Sequence, residues 1–244
     1  SDLDLVFLFS PVQGQSDGDR PLPPDRYFAR MAQRVLSFLT VMTPSGRLYE
    51  VDTRLRPNGR AGALVSVTRA FREYQLNEAW TWEQNALTRA RFIAGSQDVA
   101  VAFNRIRLDA LCRQRKGEEL ATELLEMRRK MNAEQSTNLH IDETRSPKHR
   151  PGGLIYIEFI AQLGVLSSAR LFPRVLQAHG TLSQLRELQA IGWLDEEEAS
   201  VLEQTLLDLR QQRLMAFLVE DFKGEAPDTS AAARVFEARL GKPG

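Results

Sequence analysis

Ser1-Asp2-Leu3-Asp4-Leu5-Val6-Phe7-Leu8-Phe9 sets two carboxylates one residue apart in an otherwise apolar run, and Leu48-Tyr49-Glu50-Val51-Asp52-Thr53-Arg54-Leu55-Arg56-Pro57 adds a third. Alternation of period two makes both runs strands. In the first, Asp2, Asp4, Val6 and Leu8 share one face, and Leu3, Leu5, Phe7 and Phe9 share the other. Apolar residues on both faces beyond Asp4 predict an inner strand whose polar end reaches a site. In the second, Glu50, Asp52, Arg54 and Arg56 share a face. Residues two apart in a strand lie roughly 6.5–7 Å apart and point the same way. Asp2 and Asp4 can therefore converge on hard cations, and Asp52 completes the cage if the strands are neighbours. Two metals about 3.5–4 Å apart activate an attacking oxygen and stabilise a leaving one. Arg54 and Arg56 then lie where a guanidinium fork grips phosphate. Each element also has a plainer reading: Asp-x-Asp as a solvated strand end, and the arginines as surface charges or structural ion pairs.

Outward from these strands, residues 10–24 are rich in proline and glycine and read as an exposed loop. Asp25 is expected to cap a helix whose apolar positions are Phe28, Met31, Val35, Phe38, Leu39 and Met42. A turn at Pro44-Ser45-Gly46 leads into a strand over 47–55, a loop spans 58–62, and a short strand covers 63–67. The pattern is then helical, near 68–79, 82–94, 97–114, 118–134, 154–169, 182–192, 195–220 and 230–240. Thr81-Trp82-Glu83-Gln84 has capping-box spacing. Residues 135–151 are polar and irregular and read as a mobile loop. The fold class expected is α+β: a part with a short mixed sheet and helices over residues 1–97, followed by an all-helical bundle over 98–244.

The bulk properties narrow the function. At 244 residues the chain is long enough for a substantial core. Acidic and basic residues balance at 32 each, so net charge gives no support to non-specific binding of nucleic acid or an acidic membrane. No apolar run approaches the ~20 residues of a membrane span. The single cysteine, Cys112, excludes an internal disulfide, fits a reducing, cytoplasmic compartment, and reads as a core residue. No signal peptide opens the chain; its start within a strand reads as a fragment of something longer.

The carboxylate strands resemble those of glutamine synthetase adenylyltransferases, members of the DNA polymerase β-like nucleotidyltransferase superfamily. Ser1–Phe9 is similar to the second half of the superfamily signature, and Tyr49–Pro57 to the third-carboxylate strand. Asn77-Glu78-Ala79-Trp80-Thr81-Trp82-Glu83-Gln84-Asn85-Ala86-Leu87 with Arg89-Ala90-Arg91 resembles the helix that follows. Lys148-His149-Arg150-Pro151-Gly152-Gly153-Leu154-Ile155-Tyr156-Ile157-Glu158-Phe159 resembles the segment joining the catalytic and helical parts. The likeness covers most of residues 1–222. The bacterial enzyme has two similar halves, one adding AMP to a tyrosine of glutamine synthetase and the other removing it by phosphorolysis. Asn77–Glu83 is similar to the adding half.

The resemblance implies that Asp2, Asp4 and Asp52 hold two Mg²⁺ ions against ATP, with pyrophosphate as leaving group and the tyrosine hydroxyl as nucleophile. Asp52 is also a possible proton acceptor. Ser1, Arg54, Arg56 and Lys148 are implied on the nucleotide, Arg54 or Arg56 alternatively as a brace for the carboxylates and Lys148 alternatively as a mobile surface lysine. Glutamine synthetase, the PII signalling protein and glutamine as effector are the implied partners, with no nucleic acid or membrane. Phosphorolytic AMP removal and a non-catalytic regulatory module are the alternatives. Two departures stand out. The glycine-rich loop expected before Ser1 is represented by its last residue only, and Tyr156 occupies a position where the family usually carries an acid.

Among the remaining features, Trp80 and Trp82 read as core packing ahead of a base-stacking platform. His140, His149 and His179 lack metal-ligand spacing, with His149 beside Lys148 also readable as near phosphate. The acidic run Asp195–Glu198 reads as a helix start, where the helix dipole favours negative charge.

Overall fold

The computed structural model describes residues 2–44, 46–47, 49–136, 147–219 and 224–241, without the side chains of Asp2, Glu118 and residues 131–136. Within it the chain has an α+β arrangement with a helical portion. It divides into two packing units, residues 1–86 with 91–110, and residues 87–90 with 111–244.

The first unit holds the strands. The apolar opening run forms β1 (Asp2–Asp4) and β2 (Phe7–Phe9), and further strands are β3 (Met42–Thr43), β4 (Gly46–Arg47), β5 (Glu50–Asp52) and β6 (Val65–Val67). The single strand expected over 2–9 is thus divided, because its two ends take different partners. β1 pairs in parallel with β5, and β2 pairs in parallel with β6. Leu5 N–H donates to the Asp52 carbonyl at 2.8 Å, extending the first ladder by one bond before the chain changes partner. The strand expected over 47–55 contracts to β5, since Gly46–Arg47 turns back on β3 as an antiparallel hairpin.

Parallel strands need a crossover rather than a tight turn. The connection from β2 to β5 contains α1 (Pro24–Thr40), which packs on β5 and β6. Pro24 starts this helix with no side-chain cap, so Asp25 is not its cap; it lies in the first turn, where its charge meets the helix dipole. The inward face also differs from expectation. Ala32 is buried and Phe28 stacks on Phe9 at 4.8 Å, whereas Met31, Val35, Phe38 and Met42 stand exposed. Helices α2 (Thr68–Asn77), α3 (Thr81–Arg89) and α4 (Gln97–Leu111) follow, α3 running from one unit into the other.

The second unit is helical: α5 (Gly117–Ser136), α6 (Leu154–Ser168), α7 (Thr181–Ala190), α8 (Glu196–Leu218) and α9 (Ser230–Leu240). A helix apolar all round must be a core helix. α6 is one, buried at Ile155, Ile157, Phe159, Ile160, Leu163 and Val165 among others, and it packs against each of the other four helices. Cys112 is half-buried and donates its thiol to the Ala169 carbonyl at 3.3 Å. The acidic run is accounted for by capping: Glu198 N–H donates to Asp195 Oδ1 at 2.8 Å, and Asp195 N–H donates to Glu198 Oε2 at 3.1 Å. The expected mobile loop falls largely on residues 137–146, outside the described residues, as does His140.

The α6–α7 contact depends on the absence of a side chain. A Cβ at Gly164 would stand 2.5 Å from Leu188 Cδ1, in the core, and 2.9 Å from Cε3 of the half-buried Trp193. Gly164→Ala is expected to cost about 1–3 kcal/mol by overpacking, read as a lower urea midpoint. Gly117→Ala, whose Cβ meets nothing within 4 Å, is expected not to lower it.

Candidate functional site

The register of β1 on β5 places Asp2 opposite Glu50, Leu3 opposite Val51 and Asp4 opposite Asp52. Partners in register project to the same side of a sheet, so Asp4 and Asp52 share a face, and Asp2 and Glu50 occupy the next positions along it. The side chain of Asp2 and the whole of Ser1 lie outside the described residues.

Asp52 is held by its neighbour two residues on. Arg54 Nε donates to Asp52 Oδ2 at 2.6 Å, the Arg54 backbone N–H donates to Oδ1 at 2.8 Å, and Arg54 Nη2 closes an ion pair on Oδ2. The hydrogen bond from Arg54 holds the Asp52 carboxyl below its ordinary value, against burial, which acts the other way; the Arg60 charge adds a smaller lowering. The Arg54 guanidinium is in turn pushed up, first by Asp52 and to a lesser degree by the charge of Asp4. Arg54 therefore lies within the field of both strand carboxylates.

Arg56 has a different task. Its Nη1 donates to the Thr53 carbonyl at 2.5 Å and to Thr53 Oγ1 at 2.7 Å, and its Nε donates to the Gly62 carbonyl at 3.4 Å. It ties together the loop leaving β5. That loop turns through Asn58 and Gly59, both at positive φ, and is so tight that a Cβ on Gly62 would stand 1.9 Å from the Pro57 carbonyl oxygen.

A network that sequence reasoning missed anchors the same loop. Tyr74 Oη donates to Glu83 Oε1 at 2.7 Å, and Trp80 N–H donates to Glu83 Oε2 at 2.9 Å. Burial first, then the Glu83 carboxylate, push the Tyr74 phenol up to about 12, while a backbone hydrogen bond at Asn58 acts the other way. Glu83 is thus the acid three residues into α3 that closes on the Trp80 amide. The spacing was visible in the sequence, but one residue earlier than the Thr81–Gln84 assignment. Trp80 and Trp82 are 70% and 43% exposed, so the described residues do not pack them as a core.

Lys148 belongs to the second unit, exposed in the turn before α6, where its carbonyl accepts from Ile155 N–H at 3.2 Å. The surrounding glycines are there for close approach. Gly152 has φ +69°, and a Cβ on it would stand 2.1 Å from the Thr229 carbonyl oxygen; one on Gly153 would stand 2.7 Å from that of Pro147. Thr229 Oγ1 completes the clasp, donating to the Pro151 carbonyl at 2.7 Å. Glu158 pairs with Arg89 at 3.2 Å. Tyr156 is buried against Phe236, ring centroids 4.6 Å apart, with the Arg128 guanidinium 4.9 Å from its own centroid.

Carboxylates on adjacent parallel strands followed by a helical unit define the class: an α+β unit built to gather negative charge at one sheet edge. Comparison with known proteins supplies the family. Residues 1–106 match the model of the glutamate-ammonia ligase adenylyltransferase family. Over 214 residues, 85% of this chain, it is 44% identical to a bifunctional glutamine synthetase adenylyltransferase/adenylyl-removing enzyme of Xanthomonas axonopodis pv. citri. Proteins of the same description from Pseudomonas syringae pv. tomato and Methylococcus capsulatus are each 42% identical, over 83% and 86% of this chain. Over most of its length the chain is thus similar to these adenylyltransferase/adenylyl-removing enzymes, and it spans 22% of the length of each of these relatives.

The donor set suits a hard divalent cation, since Asp4 and Asp52 offer carboxylate oxygens from one sheet face. Among the described residues, which do not include the side chain of Asp2, no group of three or more His, Cys, Asp or Glu is arranged to hold a metal.

Removing the Arg54 guanidinium tests the electrostatics. A depressed carboxyl contributes stability above its unfolded pKa of about 3.9 and loses it as pH falls through the lower folded value. In Arg54→Met the Asp52 titration, followed by carboxyl carbon NMR, is expected to move up toward the ordinary carboxylate range. The acid limb of the stability curve should lose the contribution of this pair. An unmoved midpoint would mean that another group sets the charge state of Asp52.

Proposed function

We propose that this chain is catalytic machinery for moving AMP from ATP to a tyrosine of glutamine synthetase. The observation that carries the reading is the in-register pairing of Asp4 with Asp52 within a stretch that matches the adenylyltransferase family. The tyrosine oxygen attacks the α-phosphorus, the bond to the β-phosphate bridge breaks, and pyrophosphate leaves. Asp4 and Asp52, with Asp2, are the residues to hold Mg²⁺. Two such ions, when bound, supply charge neutralisation at the phosphates and acidify the attacking hydroxyl.

The chain's own residues divide the remaining work. Arg54 keeps Asp52 ionised, so that it offers oxygens and not a proton. The same depression makes Asp52 a poor base, which argues that the tyrosine proton passes to solvent. Arg56, Tyr74 and Glu83 hold the loop behind Asp52. Arg54 and Lys148 are the cations assigned to phosphate, and Ser1 the residue assigned to the phosphate-binding turn. The resemblance adds PII and glutamine as regulators and a cytoplasmic setting. No helix among the described residues is long and apolar enough to cross a membrane.

The relatives' description also names adenylyl removal, in which inorganic phosphate attacks the same phosphorus and ADP is released. One assay separates the two. With ATP labelled at the α-phosphate, Mg²⁺ and unmodified glutamine synthetase, label is expected to pass to the protein. Asp4→Asn and Asp52→Asn should each lower the rate by about 10²–10³-fold, the scale for losing one preorganised charge-stabilising group. Label released as ADP from the adenylylated protein, with none added to the unmodified one, would assign removal. Equal Mg²⁺-dependent ATP binding and turnover in all three proteins would take the carboxylates out of the mechanism.

A further inference from the structure

We propose that the outer face of α1 is a docking ridge for an acidic amphipathic helix of a partner protein. At roughly 100° per residue, α1 carries three adjoining stripes. Phe28 and Ala32 face inward, on the sheet side. Tyr27, Met31 and Phe38 form a second apolar stripe that faces water, 46%, 49% and 81% exposed. Arg26, Arg30 and Arg34, spaced i, i+4 and i+8, form a third stripe beside it. All three arginines are exposed, and no hydrogen bond or ion pair engages them among the described residues.

Single exposed apolar residues are ordinary; a continuous stripe is not. At the N-terminal end of this one, Tyr27 also lines a cleft of about 210 Å³ with Val12, Leu22 and Pro24, rimmed by Ser16 and Asp17. The apolar ridge therefore runs into a recess that accepts a side chain.

The arginine row decides what the partner must be. Guanidinium forks match carboxylates in pairs, and their i, i+4 repeat matches Asp or Glu at the same repeat on a helix lying alongside. A helix with an apolar stripe flanked by such acids satisfies both rows at once, as e/g charges do beside a coiled-coil seam. A lipid surface fits less well. A helix lying in a membrane needs its wide apolar face free, and that face of α1 is used on the sheet. The proposal is independent of the nucleotide chemistry.

The test uses the chain itself with a fluorescent 21-residue helical peptide carrying Leu at a and d and Glu at e and g. A Lys-for-Glu counterpart and vesicles of phosphatidylserine and phosphatidylcholine serve as the other arms. Anisotropy is expected to show saturable binding of the Glu peptide only. Arg26→Glu/Arg30→Glu/Arg34→Glu should weaken it at least tenfold and transfer preference to the Lys peptide. Phe38→Ser should weaken it several-fold with the arginines intact. These positions are exposed, so far-UV circular dichroism should be unchanged and reports any misfolding separately. Glu-peptide binding that survives the triple reversal, or is indifferent to Phe38→Ser, overturns the proposal. So does absence of binding to the Glu peptide, or capture by the vesicles alone.

Discussion

Parallel strands hold side chains abreast only while their register holds, and the pairing of Asp4 with Asp52 is the constraint on which the site rests. Because side chains alternate with period two, a slip of one residue would send Asp52 to the other face and leave Asp4 beside an apolar neighbour. Several contacts oppose such a slip. The Leu5–Asp52 backbone bond fixes the end of the ladder, α1 packs over β5 and β6, and Arg56 locks the chain immediately after Asp52. Tyr74 and Glu83 extend the bracing from α2 and α3, so the position of Asp52 is set from two directions.

The register that gathers carboxylates also makes them repel. Neighbouring strands are about 4.8 Å apart. Two like charges at that spacing cost about 3 kcal/mol at an effective dielectric near 20. Arg54 offsets this by engaging both oxygens of Asp52 while feeling the charge of Asp4. A guanidinium in this position also imposes a condition on ligand binding. A divalent cation held by Asp52 would have to share its oxygens with the fork or displace it.

The helices were legible from their apolar patterning, and their order matches the pattern read from residue 68 onward, although α3 ends at Arg89 where the pattern ran to 94. The strands were legible in kind but not in length. Leu5 and Val6 continue the alternation of residues 2–9, and nothing local says that Phe7 will leave β5 for β6. That is decided by a partner more than fifty residues away. α1 shows the same limit differently. Apolar residues cover well over half its circumference, so the pattern could not say whether Phe28 or Phe38 turns inward. The tertiary contact with Phe9 decides it. Of the site, the strand carboxylates were readable from spacing. The Tyr74–Glu83–Trp80 network was not, because it joins three segments through one buried acid that the Thr81–Gln84 capping-box spacing passes over.

The segment Lys148–Phe159, one of the stretches that carry the resemblance, is largely architecture for the helical unit. Its two glycines pass against the carbonyls of Thr229 and Pro147, and its apolar residues are the core of α6. Tyr156 belongs to that core too. An acid there would be a buried charge, tolerable only with a buried cation beside it. Arg128 is such a cation, 1% exposed, with one hydrogen bond from Nη2 to the His149 carbonyl at 3.0 Å and no partner for Nε and Nη1 among the described residues. The tyrosine ring answers with its π-face in place of a carboxylate, which keeps part of the attraction and removes one buried charge. Tyr156 therefore bears on how the helical unit packs and how firmly Arg128 is held.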